Sequence, residues 1–117
     1  MKKYIAKIVY QIVSGNGMHK PQFDEQLHLI EGRDEKEALK KARFKGRSEE
    51  ESFPNDREEI VQWKFIDVVD LVEIKDMKDG SQIYSRIEET EDATNYINIA
   101  RQKARTIETL SNLAYVF

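Results

Sequence analysis

The sequence predicts an α+β fold with the element order β-β-α-β-β-α, and three observations carry that reading. Residues 4–13 and 60–66 hold apolar side chains on both alternating faces, as strands covered on both sides do. Asp34 and Glu37 form a capping pattern that opens a helix between those two segments. Beyond residue 90, apolar and small residues recur at alternating spacings of four and three, with no Gly or Pro before the C-terminus. Together they describe a four-stranded antiparallel or mixed sheet with packed helices and a long C-terminal helix.

The first strand spans residues 3–13, rich in Ile, Val and Tyr, and closes on the turn cluster Ser14-Gly15-Asn16-Gly17. A second strand follows over about residues 22–31. Phe23, Glu25, Leu27 and Leu29 share one of its faces; Gln26 and His28 take the other, with Ile30 out of pattern. A hairpin with a loose loop joins the two strands. Ala38, Leu39 and Ala42 give the first helix a narrow stripe of small residues suited to lying close on a sheet, and Gly46 is its expected stop. From Arg47 to Glu59 the chain is highly charged and holds Pro54-Asn55-Asp56, which reads as a surface loop.

Residues 60–74 are the most apolar segment. One straight strand of that length would run about 50 Å, too long for this domain. The apolar parity also changes, from Val61, Trp63 and Phe65 to Ile66 and Val68, so a bulge or bend is expected near Ile66-Asp67. Asp79-Gly80 reads as a hairpin turn leading to a fourth strand over residues 81–87. Thr90, with Glu91 and Asp92 behind it, is the expected cap of the last helix. Its face is Ala93, Ile97, Ala100, Ala104, Ile107 and Ser111, and it ends in an apolar tail at Leu110, Leu113, Ala114, Tyr115, Val116 and Phe117.

The chain has 117 residues, enough for a real core, and reads as a single domain: a sheet with the first helix over residues 3–88, then the last helix and tail over residues 90–117. It is 39% hydrophobic and 35% charged, with five Gly and two Pro, which excludes disorder as the ground state. A net charge of −3 gives no global attraction to nucleic acid or anionic membranes. The absence of cysteine excludes disulfides, thiolate metal sites and a cysteine nucleophile. No stretch is long and apolar enough for a membrane span, and Lys7 interrupts any leader-like run after Met1-Lys2-Lys3, so a cytoplasmic chain is expected.

Three segments carry a resemblance: Leu27-His28-Leu29-Ile30 before Asp34-Glu35-Lys36-Glu37-Ala38-Leu39; Val61-Gln62-Trp63-Lys64-Phe65-Ile66-Asp67; and Asp79-Gly80-Ser81-Gln82-Ile83-Tyr84-Ser85-Arg86. In this order the chain resembles, over about residues 3–88, the small bacterial family catalogued as domain of unknown function 4288. That resemblance implies one intracellular domain and supplies no activity, cofactor or catalytic residue.

Glu25, His28 and Arg86 around Trp63 and Tyr84 could form a ligand pocket or an acid–base site, since a carboxylate against an indole titrates high. Trp63 and Tyr84 also suit strand positions in a core. Asp67, Asp70 and Glu73 recur every third residue but alternate faces on a strand and cannot converge without a bulge, so no metal site and no cofactor are expected. Gly15-x-Gly17 is not a phosphate fingerprint, because no helix opens after it. Lys36, Lys40, Lys41 and Arg43 make the first helix basic enough to meet phosphates, yet Glu49-Glu50-Glu51 follows and can fold back on them.

The two-faced strands and the overhanging last helix ask for a partner surface. Ile97, Ala100, Ala104, Ile107, Leu110, Leu113, Tyr115 and Phe117 are the expected interface of a homodimer. The functional expectation is a non-catalytic protein-interaction module that self-associates, of an accessory or immunity type. The alternatives are a small-molecule binding protein or enzyme using Trp63, Tyr84 and Arg86, and a nucleic-acid accessory protein using the first helix.

Overall fold

Strand β1 (Lys2–Ser14) takes the centre of the sheet because both of its faces are apolar. It pairs antiparallel with β2 (Gln22–Gly32) on one edge and β4 (Ile60–Ile74) on the other, and β3 (Glu51–Pro54) pairs antiparallel with the start of β4. The order is β2-β1-β4-β3. Helix α1 (Glu35–Ser48) lies on one face, and α2 (Ala93–Val116) ends the chain. The computed structural model describes the backbone of residues 1–116 and the side chains of residues 1–113; the expected interface residues Tyr115 and Phe117 lie outside the described side chains, as do Ala114 and Val116. The chain divides into two compact units, Met1–Ser85 and Arg86–Phe117.

The order β-β-α-β-β-α stands, but two strands differ from those expected. Residues 81–87 form no strand. The turn before them exists, with Gly80 at φ +85° and the Ser81 amide donating to Lys78 O over 3.0 Å. However, β4 ends at Ile74, and the Asp76 carboxylate takes the Lys78 amide at 3.1 Å, so the turn is not flanked by a ladder. The missing strand is instead Glu51–Pro54, within the segment read as a loop. Its residues are exposed, and Phe53 stacks on Trp63 with ring centroids 5.6 Å apart. Asn55 Oδ1 closes the following turn by accepting from the amides of Arg57 and Glu59.

The expected irregularity in β4 is present twice. The register against β1 shifts between Val9 and Tyr10 and again between Lys7 and Ile8, which leaves Ile66 and Val69 as inserted residues, both exposed. Each is followed by an aspartate that accepts the next amide: Asp67 from Val68 at 2.7 Å and Asp70 from Leu71 at 3.0 Å. Each insertion reverses side-chain parity, so Trp63, Phe65, Val68 and Leu71 pair with Ile12, Tyr10, Ile8 and Ala6 on one common face.

Helix α1 covers that face. Asp34 caps it by accepting from the Glu37 amide at 2.8 Å, while the Glu37 carboxylate reaches back to the amide of Arg33, one residue beyond the expected partner. Gly46 does not stop the helix, which runs on to Ser48. Ala38, Ala42 and Gly46 are buried one turn apart and let the helix axis approach the strands. A Cβ at Gly46 would collide with the Phe65 ring and stand 3.2 Å from Ile8 Cγ2. Below the helix, Tyr4, Ala6, Ile30, Ala38 and Ala42 form the core, extended by Val68 and Leu71. The fully buried Tyr10 hydroxyl donates to Gly46 O at 2.7 Å.

At the start of α2, Asp92 rather than Thr90 accepts the Asn95 amide, at 3.0 Å; Thr90 Oγ1 accepts the Asp92 amide one step earlier. Gly46→Ala is expected to cost about 1–3 kcal/mol by overpacking, and Tyr10→Phe about 1 kcal/mol by orphaning a carbonyl. Urea unfolding of the full chain measures both, and unchanged midpoints would mean that α1 is not held at this point.

Candidate functional site

The inward face of β2 is polar where α1 does not fully cover it. Asp24, Gln26 and His28 are half-buried and pair with Tyr10, Ile8 and Ala6 of β1. They form one hydrogen-bonded chain with Trp63 of β4. The Trp63 indole N–H donates to Asp24 Oδ2 at 3.1 Å, the Gln26 amide donates to the same oxygen at 2.7 Å, and His28 Nε2 lies 2.7 Å from Gln26 Oε1. A cleft of about 120 Å³ beside this chain is lined by Tyr10, Gln26, Glu49, Glu51 and Trp63. Burial first, then the carboxylates of Glu49, Glu50, Asp24 and Glu51, hold the Tyr10 phenol above its ordinary pKa. It therefore stays protonated and keeps its bond to Gly46.

Of the residues read as one pocket, the structure joins His28 and Trp63 through this chain and places Glu25 and Tyr84 elsewhere in the first unit. Glu25 is on the opposite face, where it pairs with Lys7 at 2.9 Å. The Tyr84 hydroxyl donates to Asp70 Oδ2 at 2.9 Å, and Asp70 lies about 20 Å along β4 from Trp63 at the ordinary strand rise. Arg86 opens the second unit and pairs there with Glu88 at 3.7 Å. Asp24 and Gln26, which complete the chain, were not singled out from the sequence. Their signal was parity: they share the even positions of β2 with His28.

The acidic triplet of β4 is occupied by partners. Asp67 accepts from Arg43 Nε at 3.0 Å, Asp70 from Tyr84, and Glu73 lies 3.8 Å from Lys2. Among the described residues, no group of three or more His, Asp or Glu side chains could hold a metal ion. The backbone amide of Val68, and after it the Arg43 guanidinium, hold the Asp67 carboxyl below the usual carboxylate range. On α1, Lys36 and Lys40 are exposed, Lys41 donates to Glu31 O, and Arg43 turns to Asp67. Farther along the helix, Lys45 pairs with Glu49 at 2.6 Å, and Arg47 lies over the Phe65 ring at 5.4 Å. Of the acidic run after the helix, Glu49 thus pairs one turn back, the Glu50 carboxylate takes the Phe65 amide, and Glu51 starts β3.

Apolar side chains are also exposed elsewhere. On the face of the sheet away from α1, Phe23, Leu27 and Leu29 are 56%, 53% and 52% exposed, beside the buried Ile5 of β1. On α2 every described side chain is exposed, including Tyr96, Ile97, Ile99, Ile107, Leu110 and Leu113. Among the described residues, no helix is long and apolar enough to cross a membrane.

A family model described as Domain of unknown function (DUF4288) matches residues 3–85. Comparison with curated proteins and with solved structures found no match.

Asp24→Ala removes the acceptor shared by the indole and Gln26, so the emission of the single tryptophan, Trp63, is expected to shift, with a stability loss on the order of 1 kcal/mol. Emission identical to wild type would place the indole outside this chain of bonds. The folded-state pKa of Asp67 is depressed, so its contribution is full above the unfolded pKa and is lost as pH falls through the folded value. Asp67→Asn should therefore be less stable than wild type at neutral pH, with the gap closing towards about pH 3, as read by urea unfolding at both pH values.

Proposed function

The chain belongs to the DUF4288 family, and we propose that it is a non-catalytic protein-interaction module that self-associates in the cytoplasm. The observation that carries this reading is the row of Phe23, Leu27 and Leu29, each more than half exposed on the face of β2 turned away from α1. Isolated apolar side chains at a surface are ordinary, but three on one face of a strand, interrupted only by the ion-paired Glu25, make a patch of the kind protein contacts cover. α2 adds a second apolar surface whose exposed residues a second copy of the chain can bury. The placement of Glu25 on the opposite face and of Tyr84 beside Asp70 weighs against an acid–base site assembled from those groups around Trp63.

A second reading, small-molecule binding, is favoured by the cleft beside Trp63, where a polar ligand would meet the Gln26 amide and the Glu49 and Glu51 carboxylates. Its volume of about 120 Å³ is below the several hundred Å³ of an ordinary ligand pocket, which ranks it second.

Sedimentation equilibrium of the full chain tests the first reading. A mass of at least twice 13.8 kDa is expected at micromolar concentration. A monomer persisting at about 100 μM, an affinity too weak for a specific module, would overturn it.

A further inference from the structure

We infer that α2 pairs antiparallel with α2 of a second copy of this chain, Ala104 facing Ile107 across the two-fold axis; this rests on the self-association proposed above. The helix has 24 residues, a length of about 36 Å. Every described side chain along it is exposed, whereas helices in water draw most of their stability from a packed face. Its repeat supplies that face: Ala93, Ile97, Ala100, Ala104 and Ile107 recur at spacings of four, three, four and three, the seam of a two-helix coil.

Residue size selects the direction, and charge selects the register. In a parallel pair, Ala100 and Ala104 would each meet their own copy in adjacent layers, while Ile97 and Ile107 hold the helices apart. In an antiparallel pair with Ala104 facing Ile107, each isoleucine fills the space that an alanine leaves, and Ala100 faces Ser111. The same register sets Arg101 beside Glu108 twice along one flank, giving two ion pairs of opposite charge between copies, and Lys103 beside the apolar Leu110 on the other flank. The other antiparallel register, with Ile97 facing Ile107, would bring Lys103 against Lys103 and is disfavoured by like charge. The helix macrodipoles also oppose in the antiparallel arrangement.

The test compares dimer dissociation constants of the full chain and three variants by sedimentation equilibrium, with Trp63 emission as the control for an intact sheet unit. Ile107→Lys is expected to give a monomer with unchanged emission. Arg101→Glu should weaken the dimer roughly tenfold, two rim pairs being lost and two repulsions gained, and Arg101→Glu combined with Glu108→Arg should restore it. If Ile107→Lys leaves the dimer intact, self-association uses another surface and the helix pairing falls while the functional reading stands. If the single reversal is neutral and the double reversal weakens the dimer, the helices pair in parallel and the inference is overturned. A monomeric wild type removes both readings together.

Discussion

The close seating of α1 on the sheet at Gly46 is the constraint on which the first unit depends. Without a side chain there, the helix backbone comes within reach of the Tyr10 hydroxyl and lies against Phe65 and Ile8. One buried hydrogen bond then ties the last turn of the helix to the central strand, 36 residues away in sequence. Ala38 and Ala42 continue the same close row toward the start of the helix, where Asp34 and Glu37 satisfy the free amides. The glycine costs helix propensity, about 1 kcal/mol relative to alanine, and the approach it permits offsets that loss.

Seating the helix this closely requires β4 to present a long apolar face to it, which a regular strand of its sequence could not do. The insertions at Ile66 and Val69 bring Trp63, Phe65, Val68 and Leu71 to the same side. An interrupted ladder leaves amides without strand partners, and the unit Ile66-Asp67-Val68 followed by Val69-Asp70-Leu71 answers this twice with a carboxylate one residue before the amide. Those same aspartates then hold Arg43 of α1 and Tyr84 beyond β4. Residues that looked like spaced metal ligands are thus the joints of a bent strand.

The faces of β2 are used in a way that bears on function. The side under α1 carries Asp24, Gln26 and His28, and the side away from it carries Phe23, Leu27 and Leu29. The polar side chains are thus half-covered while three apolar ones on the other face stay more exposed. The hydrogen-bonded chain from Trp63 to His28 resolves the buried side internally. On the other side Phe23, Leu27 and Leu29 stay more than half exposed, and Glu25 between them pairs with Lys7.

What the sequence determined by itself is what local chemistry determines. The hairpin of β1 and β2, the capping of α1 at Asp34, the irregularity near Ile66 and the repeat of α2 each depend on residues within a few positions of one another, so pattern and parity reveal them. Residues 51–54 and 81–87 show the limit. Strand propensity favours the second, yet β3 forms at the first, because Phe53 finds Trp63 across the sheet and Ile74 ends β4 before the Gly80 turn. Likewise Gly46 reads locally as a stop, and only Phe65, Ile8 and Tyr10 make it a point of close packing. Parity showed that His28 and Gln26 share a face of β2, but which face α1 would cover was decided by the volume of side chains on β1 and β4. That information is non-local: it exists only once strands distant in sequence lie side by side.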